Sequence, residues 1–499
     1  MHTDIVTQRP HLVRALGPYM ATAIVVGTVI GSGVFKKPQV VAANVPFFGL
    51  AALVWIFTGV LAFLGALALA EVAVLFPKAG GNYVFLREGY GRWAGFLWGW
   101  VEFWIIRSAS LAALATIFTE SLHDVLKEMI GSRVAILGFW PQKVLTVTVI
   151  LALGLVNIRG VRWGGGLQFI ITLIKVASLL GILTLPFVVA AWTDGSGGRA
   201  SETPVPRPSL QNLQPVWQTE GPLPWRGLGA AFLGVLWAYH GWMNIAPVAE
   251  EVRTPQRNIP LSLLGGIAIV ITLYLGANFA YYLIIPQDEM AKMKAPDVST
   301  PAEADQNQDQ TVAIGFCRRL LGPVGVGVAA ATIMFSVFGA LNGNLLVGPR
   351  LLYAMGEDGL APRALSAVHV RYNTPALAIT VMALWSCLLV VGVALLTQLE
   401  SLEKGKSHFD ILTDFAMFGA VIFETMAVTT IFAFRRKFPD VDRPYRCWGY
   451  PVVPLLYLIL PAFILANMFQ NQPKEVAVGI GFIAGGALVY LFVDVISRK

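Results

Sequence analysis

The first long hydrophobic segment contains the stretch Gly27-Thr28-Val29-Ile30-Gly31-Ser32-Gly33-Val34-Phe35. Its glycines interrupt a run that is otherwise long enough to cross a bilayer as a helix. A second interrupted run contains Trp237-Ala238-Tyr239-His240-Gly241-Trp242. A helix broken at membrane depth leaves backbone groups without partners, which lipid tails cannot supply, so such breaks are expected to line a polar cavity. In secondary transporters, paired breaks of this kind mark the substrate site.

The composition is typical of a membrane protein. Of the 499 residues, 56% are hydrophobic and 13% are charged, and the mean hydropathy is +0.66, whereas soluble proteins contain about 25% charged residues. The cysteines Cys317, Cys387 and Cys447 have no metal-ligand spacing and no evident pair. The net charge of +7 is spread over loops, which argues against a nucleic-acid partner. We therefore expect an all-α polytopic membrane protein with no cofactor and no metal.

Hydropathy predicts twelve spans and an inside N-terminus. The predicted spans are 13–43, 47–76, 91–122, 142–158, 165–191, 226–250, 260–286, 322–355, 375–397, 409–434, 450–470 and 475–496. Lys and Arg are more frequent in the segments that this count places inside, most clearly at Arg435-Arg436-Lys437. This asymmetry predicts that both termini are cytoplasmic. Because no cleavable signal peptide is visible, the first span is interpreted as a signal anchor.

The spans divide into two halves of five, and each half opens on a broken helix. An odd number of spans in each half inverts the second half relative to the first, which is the inverted-repeat arrangement of many transporters. The predicted organisation is a cytoplasmic N-terminal segment (1–12), a first five-helix repeat (13–191), an extracellular loop (192–225), a second, inverted five-helix repeat (226–434), a basic cytoplasmic loop (435–449), and transmembrane helices 11 and 12 with a short C-terminus (450–499).

Each break has a functional and a structural interpretation. At Gly31-Ser32-Gly33, free N–H groups and the positive helix end could bind a carboxylate, with the Ser32 hydroxyl as a further donor. Alternatively, Gly27 and Gly31 form a Gly-x-x-x-Gly helix-packing motif. At the second break, unwound carbonyls around Gly241 could accept a substrate ammonium, or the aromatic residues could simply pack in the core. The presence of two matching breaks favours binding.

Motifs after the breaks resemble a known family. They are Glu250-Glu251-Val252-Arg253-Thr254-Pro255-Gln256-Arg257-Asn258-Ile259-Pro260, Ala79-Gly80-Gly81-Asn82-Tyr83, Trp100-Val101-Glu102-Phe103-Trp104-Ile105-Ile106-Arg107, Asn342-Gly343, Arg350-Leu351-Leu352-Tyr353-Ala354-Met355, Asp358-Gly359 and Pro362. With Gly31-Ser32-Gly33-Val34-Phe35, this ordered set resembles the amino acid–polyamine–organocation (APC) superfamily, and most of all its L-amino acid transporter (LAT) branch. The resemblance implies a LeuT-type 5+5 inverted repeat plus two helices, and amino-acid transport by alternating access.

The resemblance also implies which residues bind substrate. The first set, for the carboxylate and amine, comprises Ile30, Gly31, Ser32 and Gly33, and the second, for the amine and a gate, comprises Trp237, Ala238, Tyr239, His240 and Gly241. Trp237 takes the gating aromatic position. His240 departs from the small or acidic residues that the family has there, and an imidazole that can itself be cationic argues against a dibasic substrate.

Lys175 is the charged residue that most needs an explanation. An ammonium within an apolar span is costly and is a functional candidate by default, although a lysine near a helix end can also snorkel to the surface. The resemblance implies that Lys175 bridges spans 1 and 8, where sodium-coupled relatives hold a cation. Burial could also let it exchange a proton. Ser336 in span 8 is its candidate hydroxyl partner.

Other charged residues lie within or near the spans. Glu102 and Arg107 are five residues apart, which is about 140° off the same α-helical face, so they are predicted not to pair with each other. Glu71, Asp414 and Glu424 are further acids, and none is singled out by the sequence.

The sequence therefore predicts a plasma-membrane transporter of neutral L-amino acids that works by sodium-independent exchange or facilitated transport. Proton-coupled symport and a non-transporting amino-acid sensor are the alternatives. No metal-binding, phosphate-loop or nucleophile motif indicates an enzyme. The external loop at about 120–142 contains no cysteine, so no disulfide-linked glycoprotein partner is expected.

Overall fold

The described parts of the chain are almost entirely helical. The computed structural model describes residues 12–130, 137–195, 206–217, 223–293, 311–398 and 408–497. In these ranges the α-helices are α1 (Pro18–Val29), α2 (Gly33–Asn44), α3 (Phe48–Leu75), α4 (Asn82–Tyr90), α5 (Arg92–Val101), α6 (Ser108–Ile130), α7 (Phe139–Ile158), α8 (Val161–Gly195), α9 (Trp225–Tyr239), α10 (Pro255–Ile284), α11 (Gln287–Lys292), α12 (Val312–Leu321), α13 (Val324–Val347), α14 (Pro349–Glu357), α15 (Ala376–Gln398), α16 (His408–Lys437), α17 (Val452–Tyr457), α18 (Ile459–Asn471) and α19 (Pro473–Ser497). Short 3₁₀ helices cover Leu210–Leu213, Trp242–Glu251 and Arg363–Ser366, and Glu102–Arg107 is a π-helix.

The prediction of an all-α polytopic membrane protein is confirmed. Within the described ranges, eleven helical segments are long and apolar enough to cross a membrane. The predicted span 226–250 is not among them, because α9 ends after 15 residues and a 3₁₀ helix follows. The count of twelve spans stays a prediction. Of the predicted extracellular loop 192–225, residues 196–205 and 218–222 lie outside the described ranges.

Both glycine interruptions are true helix breaks. Between α1 and α2, Ile30 leaves helical geometry with ψ 89°. After α9, Gly241 takes a left-handed conformation with φ 102°, which favours glycine over other residues. The breaks touch each other, since a methyl group added at Gly33 would lie 2.6 Å from the Ala238 Cα atom. The sequence therefore places two unwound segments side by side, flanked by α8, α10 and α13.

The prediction that Glu102 and Arg107 do not pair is wrong. The Arg107 Nε atom donates to Glu102 Oε1 at 2.8 Å, and both side chains are buried. The reason is the π-helix Glu102–Arg107, whose hydrogen bonds join residues five apart and so bring positions i and i+5 onto one face. The 140° separation applies only to an α-helix.

Buried polar contacts close the membrane face that carries Leu16, here called the N-terminal face. The Ala15 and Leu16 N–H groups donate to the Glu251 carbonyl at 2.9 Å. The Glu251 carboxylate accepts from Arg350 Nε at 2.7 Å, and both side chains are 0% exposed. These bonds attach the N-terminal segment and α14 to the segment that follows the second break.

Candidate substrate site

A cavity lies between the two breaks. Its lining residues are Thr28, Val29, Gly31, Ser32, Gly33, Ser110, Leu114, Trp237, His240, Gly241, Asn244, Ala340 and Asn344. Most residues predicted from the two motifs thus face one space. Ile30, Ala238 and Tyr239 are buried beside the cavity and do not line it.

The first break offers hydrogen-bond donors to this cavity. Helix α2 begins at Gly33, and its first turn has no preceding helical carbonyls to pair with. Among the described residues, no acceptor is recorded for the N–H groups of Ser32, Gly33 and Val34. These N–H groups and the positive helix end form an environment that suits an anionic group.

Lys175 and Ser336 satisfy the carbonyls on the other side of the first break. The Lys175 Nζ atom donates to the carbonyls of Gly27 and Ile30, both at 2.6 Å. The Ser336 hydroxyl donates to Ile30 at 3.2 Å and to Gly31 at 2.9 Å. Lys175 is 1% exposed, so it does not snorkel to the surface. The lysine and the serine thus meet at the Ile30 carbonyl and join α8 and α13 to the break.

Two further hydroxyls join the breaks to each other. Tyr274 Oη lies 2.9 Å from the Val29 carbonyl and 3.0 Å from the Ala238 carbonyl. The Thr28 hydroxyl, whose nearest acceptor is the Ile24 carbonyl at 2.7 Å, also lies 3.2 Å from the Gly241 carbonyl. Among the described residues, the carbonyls of Thr28 and His240 accept no recorded hydrogen bond. The site therefore holds free backbone acceptors as well as free donors.

His240 forms one wall of the cavity. Its ring stacks on Trp237 with centroids 6.0 Å apart and ring planes inclined by 3°. Its Nε2 atom lies 2.9 Å from Glu424 Oε1, and both side chains are largely buried. Tyr239 follows the core-packing interpretation instead, because its ring packs against Trp55 and Tyr274. His240 and Trp237 are thus the aromatic residues of the second break that line the cavity, and His240 adds an imidazole to its wall.

Sequence reasoning missed three polar side chains around the second break. Ser110, Asn244 and Asn344 line the cavity. The Arg107 guanidinium donates to the amide oxygen of Asn344, and to that of Asn244 at 3.1 Å. Lone amides in apolar spans are costly unless they have a task, and this signal could have identified both asparagines.

The two glycines of the Gly-x-x-x-Gly motif have different surroundings. A methyl group at Gly27 would collide with the Gln168 and Thr172 side chains, so Gly27 packs closely against α8. A methyl group at Gly31 would meet nothing nearer than the Ala340 Cβ atom at 3.8 Å. The packing interpretation therefore holds for Gly27, whereas Gly31 faces the cavity.

The remaining intramembrane acids differ in their distance from the cavity. The Glu71 carboxylate accepts from Arg435 Nε at 2.9 Å and from the Cys447 N–H at 2.6 Å, away from the cavity. The Asp414 side chain lies outside the described part of the chain. Glu424 is thus the acid of this group that reaches the site, through His240.

Comparisons with known proteins found amino-acid transporters that match almost the whole chain. A family model described as amino acid permease matches residues 16–492. The serine/threonine exchanger SteT of Bacillus subtilis (strain 168) is 30% identical over 489 residues, covering 97% of this chain and 98% of that protein. The large neutral amino acids transporter small subunit 2 of Mus musculus is 29% identical, covering 96% and 81%. The b(0,+)-type amino acid transporter 1 of Homo sapiens is 29% identical, covering 97% and 88%. These similarities extend over both breaks.

Proposed function

We propose that this chain, which belongs to the amino acid permease family and transports amino acids, carries neutral L-amino acids by sodium-independent exchange. The observation that carries the proposal is the pair of breaks around one cavity. A zwitterion needs donors for its carboxylate and acceptors for its ammonium, and the breaks offer both from backbone groups. Such groups recognise the part that all amino acids share.

The assignment of roles follows from which groups are free. The N–H groups of Ser32, Gly33 and Val34 hold the carboxylate, with the Ser32 hydroxyl as a further donor. The carbonyls of Thr28 and His240 hold the ammonium. Trp237 is the gate, because it lies on the cavity wall directly beside the second break.

The side-chain subsite supports a neutral substrate. Its wall includes His240, Ser110 and Asn344, which can hydrogen-bond a small polar side chain. The name of the serine/threonine exchanger makes L-serine the natural first substrate to test.

The position of Lys175 supports sodium independence. Its ammonium occupies the space between the first break, α8 and α13, and takes the two carbonyls that a metal ion there would need. A cation at this position would first have to displace Lys175 from the same two oxygens.

Orientation, organisation and partners complete the proposal. The protein lies in the plasma membrane with both termini cytoplasmic, which the basic cluster Arg435-Arg436-Lys437 supports. Residues 13–191 and 226–434 form the two inverted repeats. No cysteine lies in the loop at about 120–142, which supports function without a disulfide-linked glycoprotein partner.

The experiment is uptake of labelled L-serine by vesicles that contain the purified protein. We expect internal unlabelled L-serine to stimulate uptake strongly, and replacement of external sodium by potassium to leave the rate unchanged. A requirement for an inward proton gradient would instead establish proton-coupled symport. If no neutral amino acid shows saturable uptake under any gradient, the transport proposal fails and the sensor interpretation takes its place.

A further inference from the structure

A second cavity adjoins the substrate cavity on the side of the N-terminal face. Its lining includes Asn82, Glu102, Met243, Asn244 and Leu351. Asn244 lines both cavities and is the partition between them. A molecule that leaves the two breaks towards the N-terminal face therefore meets this second cavity next.

Two buried oxygen atoms on this cavity have no donor. Among the described residues, no hydrogen-bond partner is recorded for Glu102 Oε2 or for Asn82 Oδ1. Glu102 is 3% exposed and Asn82 is 5% exposed. Buried acceptors without a partner are rare in native proteins and need an explanation.

The rest of each side chain is already held in place. Glu102 Oε1 accepts from the Arg107 Nε atom at 2.8 Å. The Asn82 Nδ2 atom donates to the Met243 Sδ atom at 3.1 Å. Each side chain is thus oriented by one polar atom and keeps the other one free, which is how a preformed binding group is built.

The charge and the walls of the cavity indicate the ligand. The carboxylates of Glu102 and Glu424 line it together with one guanidinium, that of Arg107. The excess of acceptors suits a primary ammonium, which carries three donors and no acceptor. Trp98, Met243 and Leu351 supply apolar wall for an aliphatic part.

From this juxtaposition we propose that Glu102 Oε2 and Asn82 Oδ1 form a second ammonium subsite, in which the amino acid rests between the two breaks and the N-terminal face. The proposal rests on the transport function above and deepens it, because it assigns a separate binding position to one direction of exchange. The substrate ammonium exchanges the carbonyls of the breaks for these two oxygens as it passes Asn244.

The test measures the half-saturation concentration of L-serine separately at each membrane face. Right-side-out and inside-out vesicles are used, and an epitope tag at residue 1 identifies the N-terminal face. Asn82→Leu removes one acceptor without touching Arg107, and Glu102→Gln removes the charge. We expect each variant to raise the half-saturation concentration about tenfold at the N-terminal face, as for a lost charge-assisted hydrogen bond, and to leave the other face unchanged.

Asn278→Leu is the matched control. Asn278 is also buried, and its Nδ2 atom donates to the Tyr274 carbonyl at 2.8 Å. Within the described part of the chain, its Oδ1 atom likewise has no hydrogen-bond partner. It lies on α10 outside both cavities, so we expect no change at either face. Equal changes at both faces, no change in Asn82→Leu, or the same change in Asn278→Leu would overturn the second subsite. If the unaltered protein shows no exchange at all, the transport function itself is refuted.

Discussion

At the scale of single residues, the site depends on glycines for two different reasons. Gly31 leaves room, because its nearest neighbours across the cavity are 3.8 Å or more from where a Cβ atom would lie. Gly33 permits contact, because the Ala238 backbone approaches it too closely for any side chain. Glycine thus leaves space in the cavity at one position and allows the two breaks to pack closely at the other.

This difference predicts opposite effects of one methyl group. Gly31→Ala should leave thermal stability unchanged and raise the half-saturation concentration for L-serine about tenfold, because the methyl group takes substrate space. Gly33→Ala should cost about 1–3 kcal/mol of stability, because the two breaks must move apart. Thermal unfolding and exchange kinetics of the two purified variants check this. A stable Gly33→Ala protein, or a Gly31→Ala protein with normal affinity, would contradict it.

At this scale the sequence predicted a good deal. The breaks, Lys175 and Ser336 could be found because glycine conformation and the cost of a charge in an apolar span are local properties. The Tyr274 and Asn344 contacts could not, since these residues are distant in the chain from the groups that they meet. Glu424 was visible as an intramembrane acid, but its partner His240 depends on how α16 packs.

At the scale of helices, α8 and α13 stabilise the first break by hydrogen bonds to its carbonyls. Each sends one short-range donor to carbonyls that helix α1 leaves unpaired. The π-helix next to α6 is the element that sequence spacing could not predict. A rule of 3.6 residues per turn places Arg107 away from Glu102, and only the local widening of the helix turns the guanidinium towards the asparagines of the site.

The link between α8 and the break can be tested with Lys175→Met. The change keeps an apolar side chain of similar length and removes the hydrogen bonds to the Gly27 and Ile30 carbonyls. The buried Gly27 carbonyl then loses its donor. A hydrogen bond to a charged group contributes about 1.5–3 kcal/mol, so exchange should fall by at least about tenfold. Ser336→Ala should have a smaller effect, because the Ile30 carbonyl keeps Lys175 as a donor. The only carbonyl that loses its side-chain donor, that of Gly31, loses a hydrogen bond from a neutral hydroxyl.

Vesicle exchange assays with and without sodium compare the two variants. Exchange that survives in Lys175→Met at the normal rate would remove the proposed role of the lysine. A gain of sodium dependence in that variant would show that the vacated oxygens accept a cation.

At the scale of the whole molecule, the described structure is closed at the N-terminal face. The Arg350–Glu251 pair is fully buried there, and residues 15 and 16 are bonded to the Glu251 carbonyl. Any passage of substrate through this face has to break or move these bonds. This buried ion pair thus fastens α14 to the segment after the second break.

The buried Arg350–Glu251 pair predicts a difference in stability between single and double variants. Arg350→Met leaves the Glu251 carboxylate buried and unpaired, and should cost about 3–5 kcal/mol of stability. Arg350→Met combined with Glu251→Leu should recover most of that loss, because two apolar side chains replace the whole pair. Thermal unfolding measures both, and equal stability of the two variants would contradict the expectation.

Labelling with a membrane-impermeant maleimide measures closure in the same variants. A cysteine introduced as Met243→Cys lines the second cavity, and it should react from the N-terminal face only when the pair is broken. The native cysteines give little background, because all three are buried. Burial also raises the pKa of the Cys317 thiol to about 12 and that of Cys447 to about 11, which keeps both in the unreactive thiol form.

The Tyr274 hydroxyl has a consequence that follows from counting hydrogens. It has one proton, yet it lies within hydrogen-bond distance of a carbonyl from each break, Val29 and Ala238. Only one of the two carbonyls can hold that proton fully at any moment. The two breaks therefore compete for one hydrogen bond, and a stronger hydrogen bond to one segment weakens the hydrogen bond to the other. A movement of either break away from Tyr274 would leave the hydroxyl proton wholly to the other, so this one side chain couples the positions of the two segments.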